Sequence, residues 1–100
     1  MRGIVWGKTT ERSQEKLEEI VEDYIVMGHK VLEKSVTKHH TAILFDNGDY
    51  WKAIQATESS VRGQRCNVSY IDLELEKYIS IIESIKAGTT VMPFNGITYF

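Results

Sequence analysis

The sequence predicts a small α/β or α+β domain with one mixed, mostly antiparallel sheet and two helices on one face. Two observations carry this prediction: two long amphipathic segments are separated by short apolar runs, and an Asn-Gly pair lies between two β-prone stretches. A chain of 100 residues with 42% apolar content can bury one modest core. We therefore expect residues 1–100 to form a single domain.

The first half of the chain predicts a strand, a helix and a second strand. Residues 3–7 (GIVWG) form an apolar run short enough for a buried strand, and residues 30–36 alternate as a strand does. Between them, residues 11–29 have apolar side chains at helical spacing. Thr9 or Thr10 can accept from the first free amides, and Gly28 is typical of a helix end.

The strongest local signal is a β-hairpin in residues 41–56. Asn47-Gly48 is a favoured pair for a two-residue turn in which both residues need positive φ, and β-prone runs flank it. Such a turn would place Phe45 opposite Tyr50, an aromatic pair that would fix the register.

The second half predicts a loop, a strand, a helix and a β-prone tail. Residues 57–65 are polar, and residues 67–71 are apolar enough for a strand. Helical spacing begins at Asp72 and ends at Gly88. Residues 89–100 contain two short β-prone pieces around a turn.

Composition limits the compartment and the class of partner. Twelve basic and fourteen acidic side chains give a net charge of −2, without the positive field that drives binding to nucleic-acid backbones, so any such contact would be local. The lone Cys66 has no partner for an internal disulfide, which favours a reducing cytoplasm as the compartment. We expect its thiol to be buried or half-buried. The sequence has neither a long apolar run nor a signal-peptide pattern, and we expect no membrane contact.

Lys8 is the first candidate for anion binding, because Gly-Lys-Thr opens a helix as it does in a phosphate-binding loop. That loop also needs a glycine five positions earlier, where Arg2 stands, and an apolar strand fills the intervening stretch. The alternative is a strand-to-helix turn with an exposed lysine. His39 and His40 are adjacent and would point to opposite faces of a strand, so we expect no metal site there.

Two further sets of charged residues could carry chemistry. Asp72 and Glu74 follow an apolar strand, where the magnesium-binding carboxylates of nucleotide hydrolases lie, although Asp72 is also a good helix cap. Arg62 and Arg65 flank Gly63 in a polar loop and could hold phosphate or carboxylate in a bidentate way. The alternative for these arginines is a solvated loop.

Taken together, TAILFDNGDYWKAIQATESSVRGQRCNVSYIDLELE resembles the middle of the ATPase domain of phage large terminase subunits, the motors that package DNA. The hairpin with its Asn-Gly turn, the serine-rich loop with Arg-Gly-x-Arg and the apolar strand ending in Asp72 carry the resemblance. Upstream, GIVWGKTTERSQEKLEEIVEDY looks like the strand and helix that follow the phosphate-binding helix in that family. The likeness covers roughly residues 3–76.

The resemblance implies that the first and fifth strands are parallel neighbours. It also shows what this chain lacks relative to the family pattern. The phosphate-binding loop and its strand are missing. Asp72 is followed by Leu73 where the family has a water-activating glutamate, so that position is empty or displaced to Glu74. A complete hydrolysis cycle needs a phosphate cradle, a metal carboxylate and a water-orienting group together.

Three functions are therefore open. The first is a non-catalytic, phage-associated domain that binds a protein or a nucleotide-like anion through Arg62, Arg65 and Lys8, in the cytoplasm of a bacterial host. The second is a magnesium-dependent nucleotide hydrolase, which alone would require magnesium as a cofactor. The third is a structural module that forms homo-oligomers through an aromatic hairpin surface at Tyr50 and Trp51.

Overall fold

The computed structural model describes residues 1–89 and 96–100 as a six-stranded mixed sheet with helices on both faces. The elements are β1 (Arg2–Gly7), α1 (Thr10–Val26), β2 (Val31–Val36), β3 (His40–Phe45), β4 (Tyr50–Gln55), β5 (Val68–Ile71), a 3-10 turn (Leu73–Leu75), α2 (Ile79–Gly88) and β6 (Ile97–Tyr99). The strand order is β2-β3-β4-β1-β5-β6. The α+β fold class is thus confirmed.

The first and fifth strands are parallel neighbours, as the terminase resemblance implies. β1 lies between β4 and β5 and is parallel to both, and β6 is parallel to β5. Among the described strands, the antiparallel pairs are those of the meander formed by β2, β3 and β4. The prediction of a mostly antiparallel sheet is wrong, because the chain crosses over between β4 and β5 and returns in the same direction, as parallel pairing requires.

The two helices lie on opposite faces of the sheet, which corrects the prediction that both cover one face. α1 packs with Val5 on one face, whereas α2 packs with Ile4 and Trp6 on the other. All three of these β1 side chains are at most 1% exposed. A central strand that is apolar on both sides needs cover on both sides, so one helix is required for each face.

The hairpin forms, but its register differs from the predicted one. Phe45 pairs with Asp49, and Leu44 lies opposite Tyr50. Of the two turn residues, only Gly48 has a positive φ, at +90°. The loop therefore contains three residues with a left-handed glycine at its end, which shifts the pairing by one residue relative to a two-residue turn.

The helix ends follow local chemistry with one exception. Thr9 caps α1 by accepting from the Arg12 amide, and Gly28 ends the segment with a φ of +93°. The second helix begins at Ile79, not at Asp72, because Asp72 caps a separate 3-10 turn. In the predicted tail, the second β-prone piece is β6, whereas all of the first piece and the turn except Thr89 and Gly96 lies outside the described residues.

Candidate functional site

The site lies where β1 and β5 end side by side. Parallel strands bring their carboxyl ends to one edge of the sheet, which is where open α/β sheets bind ligands. The Asp72 amide donates to the Trp6 carbonyl, so Asp72 sits directly beside the turn that connects β1 to α1. Its side chain is fully buried.

Four hydrogen bonds occupy the Asp72 carboxylate. Oδ2 accepts from the Lys8 amide at 2.9 Å and from Arg12 Nε at 2.5 Å. Oδ1 accepts from a second nitrogen of Arg12 at 2.9 Å and from the Glu74 amide at 2.9 Å. Because a carboxylate offers about four acceptor positions, this one is saturated by the chain itself. The Glu74 contact is the predicted cap, and the other three contacts tie β5 to the start of α1.

These contacts set the charge state of the site. Burial alone would raise the pKa of Asp72, but the hydrogen bonds from Arg12 and from the amides of Lys8 and Glu74 outweigh burial and lower it. The hydrogen bond to Asp72 in turn raises the pKa of the Arg12 guanidinium. The pair therefore remains ionised at neutral pH.

Arg12 also contacts the second carboxylate of the predicted pair. Arg12 Nε lies 2.8 Å from a carboxylate oxygen of Glu74, whose side chain is 52% exposed. The guanidinium group of Arg12 thus contacts both Asp72 and Glu74. Lys8 takes part through its backbone amide, since its ammonium group lies 5.8 Å from the centre of the Tyr78 ring.

Sequence reasoning did not identify Arg12 as part of the site. A signal was available: Arg12 stands in the first turn of α1, where the positive end of the helix dipole disfavours a cation. A basic residue at that position indicates an acidic partner elsewhere, but the sequence does not say which one.

The loop that carries Arg62 and Arg65, called here the arginine loop, leads to the other end of the sheet. The Asn67 amide donates to the Arg2 carbonyl, so the residues just before β5 are level with the beginning of β1. Lys8 follows the end of β1, roughly 20 Å away at the rise of a strand. Arg62 and Arg65 are both exposed and line one hollow, and Lys8 is not among the residues that line it.

Arg62 and Arg65 line one shallow hollow of about 270 Å³ against the last turn of α2. The loop turns at Gly63, which has a φ of +72°. Gly88 ends α2 against the same loop. The contact leaves no room for a larger residue, because a Cβ at position 88 would lie 2.2 Å from the Gln64 carbonyl oxygen. The C-terminal end of a helix carries partial negative charge, which the two arginines complement.

The predicted aromatic surface is not formed. Trp51 is only 3% exposed and donates from its indole nitrogen to the Tyr24 hydroxyl at 2.9 Å. Its strand is interior, since β4 lies between β3 and β1. Only Tyr50 is partly exposed, stacked beneath the Arg2 guanidinium. The prediction that Trp51 belongs to an exposed surface is therefore wrong, and a role of Tyr50 in self-association stays a prediction.

The remaining polar candidates are satisfied locally. Cys66 is 7% exposed and contacts the Ser69 hydroxyl at 3.1 Å, as expected for a buried thiol. Burial, followed by the nearby Lys52 and His39, lowers the pKa of His40. Within residues 1–89 and 96–100, no three side chains of the metal-binding types cluster together. Neither helix of this part of the chain combines the length and the hydrophobicity that a membrane span requires.

Comparison with known proteins shows a likeness of fold. No protein-family model matches the sequence, and no curated protein sequence is similar to it. Among solved structures, the large terminase of a thermophilic bacteriophage is similar in crystal form 2, with a TM-score of 0.68, and in crystal form 3, with 0.70. The same terminase in complex with ADP gives 0.64.

These matches have 13% sequence identity and cover 98% of this chain, but only 24% to 25% of the terminase chain. The chain thus spans about a quarter of the length of the terminases it resembles. The fragment-like resemblance to phage large terminases is confirmed at the level of the fold.

Proposed function

We propose that this chain is a non-catalytic, phage-associated domain that uses a terminase-like fold for binding. The observation that carries the proposal is the saturated carboxylate of Asp72. The residue that the sequence places at a catalytic strand end is fully buried and accepts four hydrogen bonds from Arg12, Lys8 and Glu74. Its present role is to lock β5 against the start of α1.

Magnesium-dependent hydrolysis would need carboxylate oxygens that can enter a metal coordination shell. At Asp72 this would require breaking the bidentate contact with Arg12, and at Glu74 it would require moving the same guanidinium. The cost of leaving a buried carboxylate without its partner opposes that change. We place the domain in the cytoplasm of a bacterial host, consistent with the phage origin of the similar structures.

A phosphate-release assay tests the non-catalytic assignment. Purified protein is incubated with ATP or GTP and magnesium, and inorganic phosphate is measured with malachite green. We expect no magnesium-dependent turnover above that of heat-inactivated protein. If phosphate release is detected, Glu74→Gln tests whether this chain is its source. Glu76→Gln, in the same exposed segment, is the matched control. Turnover that Glu74→Gln abolishes and Glu76→Gln retains would establish the hydrolase instead.

A second candidate function is anion binding by the arginine loop. It is favoured by the two exposed guanidinium groups of Arg62 and Arg65, which line one hollow together with Ser84. Two guanidinium groups can hold a diphosphate in a bidentate way. Lys8 is left out of this candidate, because it does not line the hollow.

Isothermal titration with pyrophosphate and with ADP tests this candidate. Saturable binding should be lost in the double variant Arg62→Ala and Arg65→Ala and retained in Lys77→Ala, an exposed cation outside the loop. Equal heats of binding for the two variants would show that the arginines do not bind the anion. Their role would then be to keep the loop exposed to solvent and to complement the negative end of α2.

A further inference from the structure

In the described part of the chain, no helix covers β2, the edge strand on the side of α1. α1 packs over β1 and β4 and also buries the β3 side chains that face it, Thr41, Ile43 and Phe45, while all six side chains of β2 are exposed. Neighbouring strands are about 4.8 Å apart and packed helices about 10 Å apart. A second helix beside α1 would therefore be centred two strands away, over β3 and β2. Of these two strands, β2 is the exposed one.

β2 borders an apolar groove of about 520 Å³. Its apolar lining comes from α1, β2 and β3 and consists of Leu17, Val21, Val31, Val36 and Ile43. Val36 is 62% exposed. The residues of α1 that line the groove run from 14 to 22, a length of roughly 12 Å, or two to three helical turns.

Exposed apolar side chains continue to the end of α1. Ile25 and Val26 in its last turn and Met27 after it are all more than half exposed, and β2 begins four residues later. Contiguous exposed apolar surface of this kind marks an interaction site.

The wall formed by α1 is strongly acidic. Glu18 and Glu22 line the groove itself. The whole helix carries two basic residues, Arg12 and Lys16, against six acidic ones: Glu11, Glu15, Glu18, Glu19, Glu22 and Asp23. Complementary charge at an interface steers encounter and fixes register. The groove therefore suits an occupant with lysine or arginine along its flank.

A second copy of this chain is a poor occupant. β2 has an irregular register between Val31 and Glu33 and presents Lys34 at the groove, and such bulges and lysines oppose edge-to-edge pairing. A copy that laid its own α1 in the groove would oppose one acidic helix to another, which costs free energy.

We propose that this groove binds an amphipathic helix of a partner protein, with apolar residues on one side and lysine or arginine on its flanks. The helix would complete the layer that α1 begins and would bury Val36 and Val31. This inference rests on the proposal that the domain acts by binding, and it names the surface and the chemistry of the partner.

The test uses a fluorescein-labelled 15-residue peptide of leucine and lysine, with its leucines at positions i, i+3, i+4 and i+7. A scrambled peptide of the same composition is the control probe. Fluorescence anisotropy is measured against the full chain and against three folded variants: Val36→Lys, the charge-neutralising pair Glu18→Gln with Glu22→Gln, and Ile79→Lys. Ile79 is 66% exposed on α2, on the opposite face, and is a matched control for Val36. Circular dichroism verifies the fold of each variant.

We expect saturable micromolar binding of the patterned peptide, weakened about tenfold by Val36→Lys and unchanged by Ile79→Lys. The glutamine pair should weaken binding and reduce its dependence on salt. Equal binding of the scrambled peptide, equal effects of the two lysine variants, or no saturation would overturn the inference. So would a dimer, detected by light scattering, that Val36→Lys dissolves, because the groove would then belong to a second copy.

The two proposals fail separately. Nucleotide hydrolysis together with normal peptide binding would overturn the non-catalytic function and leave the groove intact. The absence of both activities would overturn the groove alone.

Discussion

Replacing Asp72 with alanine tests whether the carboxylate at the end of β5 is a structural lock. The change removes the acceptor of two backbone amides, those of Lys8 and Glu74, in a site where the carboxylate is fully buried. Each amide left without its acceptor costs about 1 kcal/mol or somewhat more. The Arg12 side chain is 40% exposed and can turn to water, so it adds little.

The expected loss is about 2–3 kcal/mol, a large share of the roughly 5–15 kcal/mol that stabilises a domain of this size. The midpoint of thermal unfolding should fall by about 10–20 °C. Urea titration and thermal melting, both followed by circular dichroism, measure these quantities. Asp72→Asn should not restore stability, because its amide group places a donor against the donors of Lys8 or Arg12.

Glu74→Ala is the control for this experiment, since it removes only an exposed partner of Arg12 and should cost less than about 1 kcal/mol. A loss below about 1 kcal/mol for Asp72→Ala would refute the lock. Full stability in Asp72→Asn would show that the ionised carboxylate is not what the site requires.

Three other predictions follow from the packing. Tyr24→Phe removes a hydroxyl that donates to Asp49 at 2.7 Å and accepts from Trp51 at 2.9 Å, and should cost about 2 kcal/mol in urea titration; no loss would mean that water replaces both bonds. Gly3→Ala would place a Cβ 2.5 Å from the Trp51 ring, so overpacking of about 1–3 kcal/mol is expected, with a blue or red shift of tryptophan emission as a second readout. The pKa values of Asp49 and Asp72 are lowered in the folded state, so the stability they contribute is complete above the unfolded value of about 3.9 and is lost as the pH falls below it; urea midpoints that stay constant from pH 5 to pH 2 would contradict this.

Local features of the fold could be predicted because they depend on residues close together in the chain. Thr9 caps α1, Gly28 follows its end, and Asp72 caps the turn after β5. Each is decided by one side chain and the few amides next to it. The hairpin at Gly48 is predictable for the same reason, although its register is not, since that depends on whether one or both turn residues adopt a positive φ.

Features that depend on distant contacts do not follow from local pattern. The sequence predicts that Trp51 belongs to an exposed aromatic hairpin surface, yet α1 covers that face of β4 and buries Trp51 against Leu17 and Ile20. The faces on which the helices pack also depend on distant contacts. Because β1 is central and apolar on both sides, it needs one helix on each face. Periodicity shows that an element has an apolar side, but not which other element covers it.

In the candidate site as well, local features could be predicted from the sequence and distant contacts could not. The amino-acid pattern is enough to predict that Asp72 ends a strand and caps a turn, and that Arg62 and Arg65 share a loop. Tertiary contacts are needed to know that Arg12, sixty positions away from Asp72, occupies the carboxylate, and that Lys8 does not line the hollow of the two arginines. The reason is physical: side-chain chemistry is local, whereas the partner of a buried charge is set by which strands lie side by side.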